Sequence, residues 1–477
     1  MTSLHDEHLN DSRYSHDITI ENVRSSRADS MSSTSKEKYT VHSTIEAAST
    51  KDKEEGEVED DYPDGGTRAW LILAGAMCNT FSTFGYVNSW GIFQKYYEET
   101  LLSSSSPSTI AWIGSIQYSL VFLPGLIVGR LFDLGYFRSI FLISSAILVG
   151  ATFLVAQCTQ YWHFLLCQGF VVGFGCGGIF GPTTAVIAHW FKKRRGFAMG
   201  LVAVGSSLGG TILPITANNL IPRVGFKWTM RIFGFILLTT LGMSNLLLKR
   251  RLPPKKVAGG LLNLAAFKSA PYSVYCASAF VTFLGIYTGE FNRSLLCSRL
   301  ILIPTVLTYV GVSATDIGIS SDFAFYFIAI ANASSLFGRY VAGNLCDKLV
   351  VLGAMNVMIP FTVSAGIVTY AWPFAQTKSS LIAITVIYGF ASGSYVSLLS
   401  NPIMEMGETG DVGRRIGMFM SILAIGALAG PPISGAIGTA TGDFKAVGYY
   451  AGTAVLVGVG LMSITRHLIL KRMFGKI

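Results

Sequence analysis

The sequence predicts an all-α protein that crosses a membrane twelve times, in two related halves of six helices each. Of its 477 residues, 51% are hydrophobic and only 13% are charged, whereas soluble proteins carry about 25% charged residues. The 51 glycines suit helices that pack closely inside a bilayer. Charged residues are concentrated between long apolar runs, and some of these charged segments recur in the second half of the chain.

The basic stretch HWFKKRRGFAMG, at 189–200, sets the orientation of the predicted helices. Its four consecutive cations, at 192–195, stand between apolar segments at 164–190 and 197–221 that contain no acidic residue. Each segment exceeds the roughly 20 residues that a helix needs to cross a bilayer. Because cationic loops remain on the cytoplasmic side, we place this elbow there and count the other spans outward from it.

Twelve apolar segments follow the N-terminal part of the chain, six on each side of a basic connector at 249–270. We predict helices near 69–93, 109–132, 138–157, 163–190, 196–220, 228–248, 271–289, 323–345, 352–373, 380–404, 415–439 and 446–469. They form an N-terminal bundle at 63–248 and a C-terminal bundle at 271–470. An even number of crossings leaves both termini, including a tail at 471–477, in the cytoplasm.

Residues 1–62 have the composition of a disordered, acidic cytoplasmic tail. The first 64 residues hold 16 acidic and 7 basic side chains, a net charge of −9, whereas the rest of the chain carries +18. The tail has too little apolar surface to offset the entropy lost on ordering, and it lacks the apolar core of a signal peptide. We attribute the positive charge to loops that orient the protein in the membrane, so nucleic acid is not expected as a partner.

Two charged motifs recur at a nearly constant offset. Gly129-Arg-Leu-Phe-Asp133 ends the second predicted helix, and Gly343-Asn-Leu-Cys-Asp347 ends the eighth, 214 residues later. The cationic elbow also returns, as GDVGRRIGMFMS at 410–421. Two six-helix halves related in this way are the plan of carriers that work by alternating access.

We expect the two aspartates and the two elbows to form a cytoplasmic gate. The carboxylates can pair with the cations, or they can accept hydrogen bonds from the N-terminus of a neighbouring helix. Breaking a partly buried charge pair costs a few kcal/mol, enough to bias a two-state equilibrium. The alternative is that these charges only set topology. The predicted gate residues are Asp133, Asp347, Arg194, Arg195, Arg414 and Arg415.

Three stretches resemble signatures of the major facilitator superfamily and, within it, of the fungal branch of the monocarboxylate porter family. They are DGGTRAW at 64–70, FKKRRGFAMG at 191–200 and NASSLFGR at 332–339. The resemblance covers residues 62–470 except for 289–302. It implies a twelve-helix fold in two pseudo-symmetric bundles, with secondary transport of a small organic solute through a central cavity.

Arg339 is the residue that we most expect to bind substrate. It lies deep in the predicted eighth helix, with no acidic residue one turn away on either side, and an unpaired guanidinium inside a bilayer is expensive. Its planar fork suits a carboxylate or another oxyanion, although the side chain could instead reach the inner interface beside Asp347. The resemblance implies an acidic residue and a lysine where this chain has Ser335 and Asn88, so a larger, less charged substrate is favoured and proton coupling is in doubt.

Other polar residues are expected to line the same cavity if the helices follow the family plan. Their amides and hydroxyls suit an amphipathic organic molecule, although any one of them could simply join two helices. Besides Arg339, the candidates are Asn79, Tyr86, Asn88, Gln117, Tyr118, Tyr287, Asn332, Tyr388 and Tyr395.

One region, GEFNRSLLCSRLIL at 289–302, breaks the symmetry because the first half has no counterpart. It is either translated from a retained intron or a genuine extracellular elaboration with a glycosylation sequon at Asn292.

The expected function is secondary active transport of a small organic solute, with the substrate and the lipid bilayer as partners and protons left open as the coupling ion. The alternatives are an exporter or importer of a larger amphipathic metabolite, such as a fungal secondary metabolite, and a membrane nutrient sensor that transports little. We find no catalytic set, metal cluster or P-loop, so neither an enzyme nor a cofactor is expected. The protein is expected in the plasma membrane or, alternatively, an internal membrane, and oligomerisation is not required.

Overall fold

The structure is a computed structural model that describes residues 62–254, 260–286, 321–348, 353–407, 409–441 and 444–471. Within these ranges the chain is mostly helical. Most of the predicted N-terminal tail, the stretch at 289–302 with Asn292, and the candidate Tyr287 lie outside the described residues.

Twelve helical spans lie within the described part of the chain, close to the positions that the apolar pattern predicts. In chain order they are α1 (Gly66–Asn88, continued by Trp90–Tyr96), α2 (Pro107–Leu120 and Gly125–Asp133), α3 (Phe137–Val155), α4 (Gly173–Trp190, preceded by Tyr161–Phe164 and Leu165–Val172), α5 with α6 (Arg195–Leu247), α7 (Ala270–Ile286), α8 (Ser321–Lys348), α9 (Ala354–Ala371), α10 (Lys378–Leu398, continued by Asn401–Glu405), α11 (Val412–Thr441) and α12 (Phe444–Leu470).

The boundary between α5 and α6 differs from the prediction. The sequence predicts a loop at 221–227, because a proline and two cations interrupt the apolar pattern there. The structure instead keeps helical geometry throughout Arg195–Leu247 except at Gly225, where φ is 78° and ψ is 163°. Glycine adopts this conformation without the steric cost of a Cβ atom. We therefore take α5 as the part before Gly225 and α6 as the part after it.

Eight of the described helical segments are long and apolar enough to cross a membrane, and α7 is a shorter apolar helix. Neither α1 nor α8 meets this criterion, because both carry polar side chains. In α1, for example, Asn79, Ser82 and Thr83 are all buried. A membrane helix of this polarity packs against other helices, where its amides and hydroxyls find partners.

Two antiparallel helix pairs join the two halves, which we call the α5–α8 seam and the α2–α11 seam. Glycines allow the backbones to approach in both. A Cβ atom on Gly129 would overlap the backbone of Gly413, and one on Gly200 would lie 3.1 Å from the Cα of Gly343. Small residues serve this purpose in membrane helices generally. Both seams end at the face that carries the basic elbows, which we call the basic face.

Candidate functional site

A cavity of about 140 Å³ lies between the two halves, and eight helices contribute to its wall. Four of the predicted substrate-binding residues line this cavity: Asn88, Asn332, Arg339 and Tyr388. Tyr118 lines it as well. These side chains come from both halves of the protein, so a solute in the cavity would contact the two bundles at once.

Four other predicted substrate residues, Asn79, Tyr86, Gln117 and Tyr395, do not line the cavity and are buried elsewhere in the protein. The reason is helical register, since each residue turns the helix by about 100°. On α1, Phe84 and Asn88 face the cavity. Tyr86 stands midway between them in sequence and therefore points to the opposite side of the helix. The structure thus places these residues away from the cavity, and substrate binding by them stays a prediction.

Arg339 lies beside the cavity and connects α8 to α5. Its Nε donates a hydrogen bond to Ser335 Oγ at 3.0 Å. One terminal nitrogen donates to the carbonyl oxygen of Ala203 at 2.6 Å and also to Ser206 Oγ. These bonds hold the guanidinium at the cavity, about two helical turns from Asp347. The planar guanidinium is a group that suits a carboxylate or another planar oxyanion.

The amides of Asn88 and Asn332 meet at Gly210 of α5. Asn332 Nδ2 donates to the carbonyl oxygen of Gly210 at 3.2 Å. A Cβ atom on Gly210 would lie 2.9 Å from Asn88 Nδ2 and 3.1 Å from Asn332 Oδ1. Glycine at this position therefore gives both amides room at the cavity wall. Because an amide both donates and accepts, the pair can bind hydroxyl, carbonyl or carboxylate groups.

Four phenylalanines, which we call the aromatic wall, line the cavity from α1, α2, α4 and α7: Phe84, Phe122, Phe180 and Phe283. Phe84 and Phe180 meet edge to face with ring centroids 4.9 Å apart. Phe122 meets Phe180 at 5.9 Å and Phe283 at 5.7 Å. The rings thus form one continuous apolar surface that extends from the N-terminal half to the C-terminal half.

Sequence reasoning missed the aromatic wall, because a phenylalanine in an apolar helix is usually a core or lipid contact. The signal that could have found it is spacing. Phe84 stands one turn before Asn88, and Phe122 stands one turn after Tyr118, so each shares a helix face with a polar candidate. Phe180 has no such polar candidate beside it in the predicted set.

At the basic end of the α5–α8 seam, Asp347 binds the first turn of α5. Its Oδ1 accepts a hydrogen bond from the backbone amide of Gly196 at 3.0 Å, and its Oδ2 accepts one from Phe197 at 2.6 Å. A carboxylate is stabilised at a helix N-terminus by the unpaired amides and by the helix dipole. The contact joins the last turn of a helix in one half to the first turn of a helix in the other.

Asp133 makes the matching contact at the α2–α11 seam. Its Oδ1 accepts from the amide of Gly413 at 3.0 Å, and its Oδ2 accepts from the amide of Arg414 at 2.8 Å. Of the two arrangements that the sequence left open, the structure therefore shows the carboxylate at a helix N-terminus. In addition, Arg250 of the connector donates to the backbone carbonyl of Asp133 and lies over the ring of Phe132.

The arginines of the first elbow make hydrogen bonds within the N-terminal half, and Arg195 is also attracted to the carboxylates of Glu405 and Asp347 in the C-terminal half. Arg195 Nε donates to the carbonyl oxygen of Phe191 at 3.1 Å. Arg194 contributes its backbone amide, which donates to Asp64 Oδ1 at 3.0 Å. These contacts shape the turn between α4 and α5. As a result, the first backbone amides of α5 point toward the carboxylate of Asp347.

The second elbow is held in a similar way. Arg414 forms an ion pair with Asp411, with Nε and Oδ1 separated by 2.6 Å. Arg415 donates to the carbonyl oxygen of Ile403 at 2.7 Å. Both guanidinium groups are buried, which favours a structural role over contact with solvent. Among the described residues, no group of three His, Cys, Asp or Glu side chains could hold a metal ion.

Comparison with known proteins identifies both the family and the fold. Residues 71–407 match the sequence profile of the Major Facilitator Superfamily. The chain is 36% identical to "MFS-type transporter 1" of Ophiocordyceps sp. over 408 residues, which cover 85% of this chain and 86% of that relative. It is also 36% identical to the aspyridones efflux protein apdF of Emericella nidulans over 399 residues, 83% of this chain and 77% of the relative.

A solved structure with the same fold is that of the human organic anion transporter MFSD10. It superimposes with a TM-score of 0.63 at 16% sequence identity, covering 83% of this chain and 100% of the other. Identity this low supports the fold alone.

Proposed function

This chain belongs to the Major Facilitator Superfamily and transports an organic solute, and we propose that the solute is an amphipathic organic anion exported from the cytoplasm. The observation that carries the proposal is the division of the cavity into two chemically different parts. Arg339 and the two asparagine amides supply polar contacts, while the aromatic wall supplies an apolar surface. A solute with an anionic group and an apolar body would use both.

The fit to such a solute follows from the chemistry of each part. The guanidinium of Arg339 would bind a carboxylate or another planar oxyanion in the forked geometry that lysine cannot reproduce. The aromatic wall would bind a flat or branched apolar body through edge and face contacts. A compact monocarboxylate would leave most of that wall unused. This difference favours the larger metabolite over a lactate-sized substrate.

We also propose that the chain belongs to the monocarboxylate porter family, on the strength of its three signature stretches. Its coupling would differ from that of family members with an acidic residue and a lysine where this chain has Ser335 and Asn88. Ser335 and Asn88 both line the cavity, and the described lining includes no Asp, Glu or His. The described lining therefore offers no carboxylate or imidazole that could carry a coupling proton against the exported solute. Flux with and without a proton gradient tests this point.

Alternating access would proceed by separation of the two seams at the basic face. Asp133 and Asp347 each make two hydrogen bonds across the interface. Hydrogen bonds to a charged group contribute about 1.5–3 kcal/mol each. Together the two contacts favour the closed basic face, and other interactions in the cycle must offset them when this face opens.

The proposed topology places the basic face and both termini in the cytoplasm, with the protein in the plasma membrane. The cations of the elbows and the connector support this orientation. Tags at the N-terminus and in the 192–195 elbow should be accessible from the same side. Accessibility from opposite sides would contradict the topology.

Export is supported by the similarity of this chain to the aspyridones efflux protein of Emericella nidulans. The test is a comparison of metabolites inside and outside cells that lack or overproduce the protein. An anionic amphipathic metabolite should accumulate inside deletion cells and in the medium of overproducing cells. The opposite distribution would indicate an importer.

A further inference from the structure

Asp64, the first residue of the signature stretch before α1, contacts the elbow between α4 and α5. Its Oδ1 accepts hydrogen bonds from the backbone amides of Lys192 at 2.8 Å and Arg194 at 3.0 Å. Its own amide donates to the carbonyl oxygen of Trp190 at 3.2 Å. Three hydrogen bonds thus fix the segment before α1 to an elbow that lies 128 residues away in sequence. We call this contact the clasp.

The backbone of Asp64 is adapted to the clasp. Its φ is +44°, in the left-handed region that few residues other than glycine adopt. Aspartate and asparagine are tolerated there better than other side chains. Gly66 follows with a φ of +82°. The chain therefore turns sharply before α1, and this turn brings the carboxylate to the elbow.

The elbow is consequently bound by carboxylates from both halves of the protein. Asp64, from the N-terminal half, accepts from two amides within 192–194. Asp347, from the C-terminal half, accepts from the two amides at 196–197. The four amides lie within six consecutive residues. The orientation of this short stretch therefore decides whether α5 presents its first amides to Asp347.

The second half contains a related contact, which supports a role for the first. Asn263, in the segment before α7, donates from Nδ2 to Asp411 Oδ2 at 2.7 Å. The other oxygen of Asp411 pairs with Arg414, whose backbone amide donates to Asp133. In both halves, the segment before the first helix is thus fixed to the elbow of its own half.

We infer that Asp64 is a positioning residue for the gate. By holding the elbow to the segment before α1, it orients the first turn of α5 toward Asp347 and stabilises the closed basic face. The clasp lies within one half, so it stays intact when the two halves separate, whereas the contact of Asp347 breaks. The inference rests on the proposed function, because it assigns Asp64 to the alternating-access cycle.

Cys346 provides a reporter for the gate in the natural sequence. Its side chain is buried, with 4% exposure, next to Asp347. A Cβ atom on Gly196 would lie 2.6 Å from Cys346 Sγ, so the thiol is covered by the first turn of α5. Separation of the α5–α8 seam would uncover it. The test is the rate at which N-ethylmaleimide alkylates Cys346 in the full-length protein in liposomes, measured on the Cys346 peptide by mass spectrometry.

Two substitutions of Asp64 separate the clasp from backbone strain. Asp64→Gly removes the carboxylate that accepts hydrogen bonds, while glycine still adopts the positive φ. It should raise the alkylation rate by about three- to tenfold, because the closed state loses the stabilisation of roughly one hydrogen bond. Asp64→Asn keeps an oxygen acceptor and the favoured backbone, so its rate should stay within about twofold of the natural protein. Asp347→Asn, which weakens the gate directly, should also raise the rate.

The same variants are compared in transport. Asp64→Gly should lower the maximal flux and leave the KM for the solute nearly unchanged, because Asp64 does not line the cavity.

Three outcomes of these experiments would count against the account. An unchanged alkylation rate in Asp64→Gly, together with a raised rate in Asp347→Asn, would overturn the inference. Unchanged alkylation in both would overturn the gate together with the clasp. A natural protein that shows these alkylation rates but no flux would contradict the proposed function alone.

Discussion

The carboxylate of Asp133 accepts a hydrogen bond from the backbone amide of Arg414 at 2.8 Å, although the guanidinium of the same arginine is paired with another acid, Asp411. The closed basic face therefore depends on the first amides of α11. The arginine side chain serves a different purpose, since it shapes the elbow that presents those amides. The α5–α8 seam repeats this arrangement with Asp347 and Gly196.

Loss of the gate carboxylate should impair transport more than loss of an elbow arginine. Asp347→Asn removes the charge that strengthens two hydrogen bonds, which should destabilise the closed basic face by about 1–2 kcal/mol and lower the maximal flux by about tenfold. Arg195→Gln keeps the backbone amides and should lower the maximal flux by less than about threefold. The measurement is initial flux in proteoliposomes at matched protein content. A larger effect from Arg195→Gln would indicate that the side chains make the gate.

Close approach of the helices at Gly129 should be required for closure of the α2–α11 seam. Gly129→Ala would place a methyl group against the backbone of Gly413, and overpacking of this kind costs about 1–3 kcal/mol. Flux should fall by about tenfold. Gly150→Ala in α3 is the control, because a Cβ atom there meets no heavy atom within 4 Å. Equal flux in the two variants would contradict a tightly closed seam.

The two tyrosines of the predicted site should respond differently to removal of the hydroxyl. Tyr388 lines the cavity, whereas Tyr86 packs between Phe93 and Phe233 inside the N-terminal half. Tyr388→Phe should raise the KM for the solute by about three- to tenfold, the loss of one hydrogen bond. Tyr86→Phe should leave the KM within about twofold. A raised KM in Tyr86→Phe alone would show that the cavity has been assigned to the wrong helix face.

The aromatic wall should set the preference for an apolar body. Phe122→Ala removes the ring that contacts both Phe180 and Phe283. Because an aromatic contact contributes about 0.5–1.5 kcal/mol beyond buried area, the KM for an amphipathic anion should rise by about tenfold. The KM for a compact anion should change little. Phe153→Ala, a substitution outside the cavity lining, is the control, and equal effects of the two variants would exclude a specific role for the wall.

The fold follows from the sequence because hydrophobic length and charge asymmetry determine which segments cross a bilayer. The twelve spans were predicted on that basis. The turn at Gly225 was not, because Arg223 and Lys227 suggest a longer loop, and only the backbone shows that one glycine marks the break. Contacts such as that of Asp64 with Lys192 were also beyond prediction, because hydrophobic patterning carries no information about partners distant in sequence.

The cavity was predictable only in part. Arg339 stands out in any membrane helix because of the cost of its charge. Asn88 and Tyr86 are both polar residues near the end of α1, and they can be told apart only when the rotation of the helix is known. An error of one residue in register turns a side chain by about 100°. Composition therefore suggests polar candidates, and the packing of the helix decides which of them reach the cavity.

The most direct test of this account is the flux of the identified metabolite through purified protein in proteoliposomes, with the natural chain compared with Arg339→Lys and Arg339→Ala. The account predicts saturable flux of an amphipathic anion by the natural protein. Arg339→Ala should reduce the ratio of maximal flux to KM by at least about a hundredfold. Arg339→Lys should retain part of this ratio, since lysine keeps the charge without the forked geometry. Unchanged affinity and maximal flux in Arg339→Ala would contradict the account.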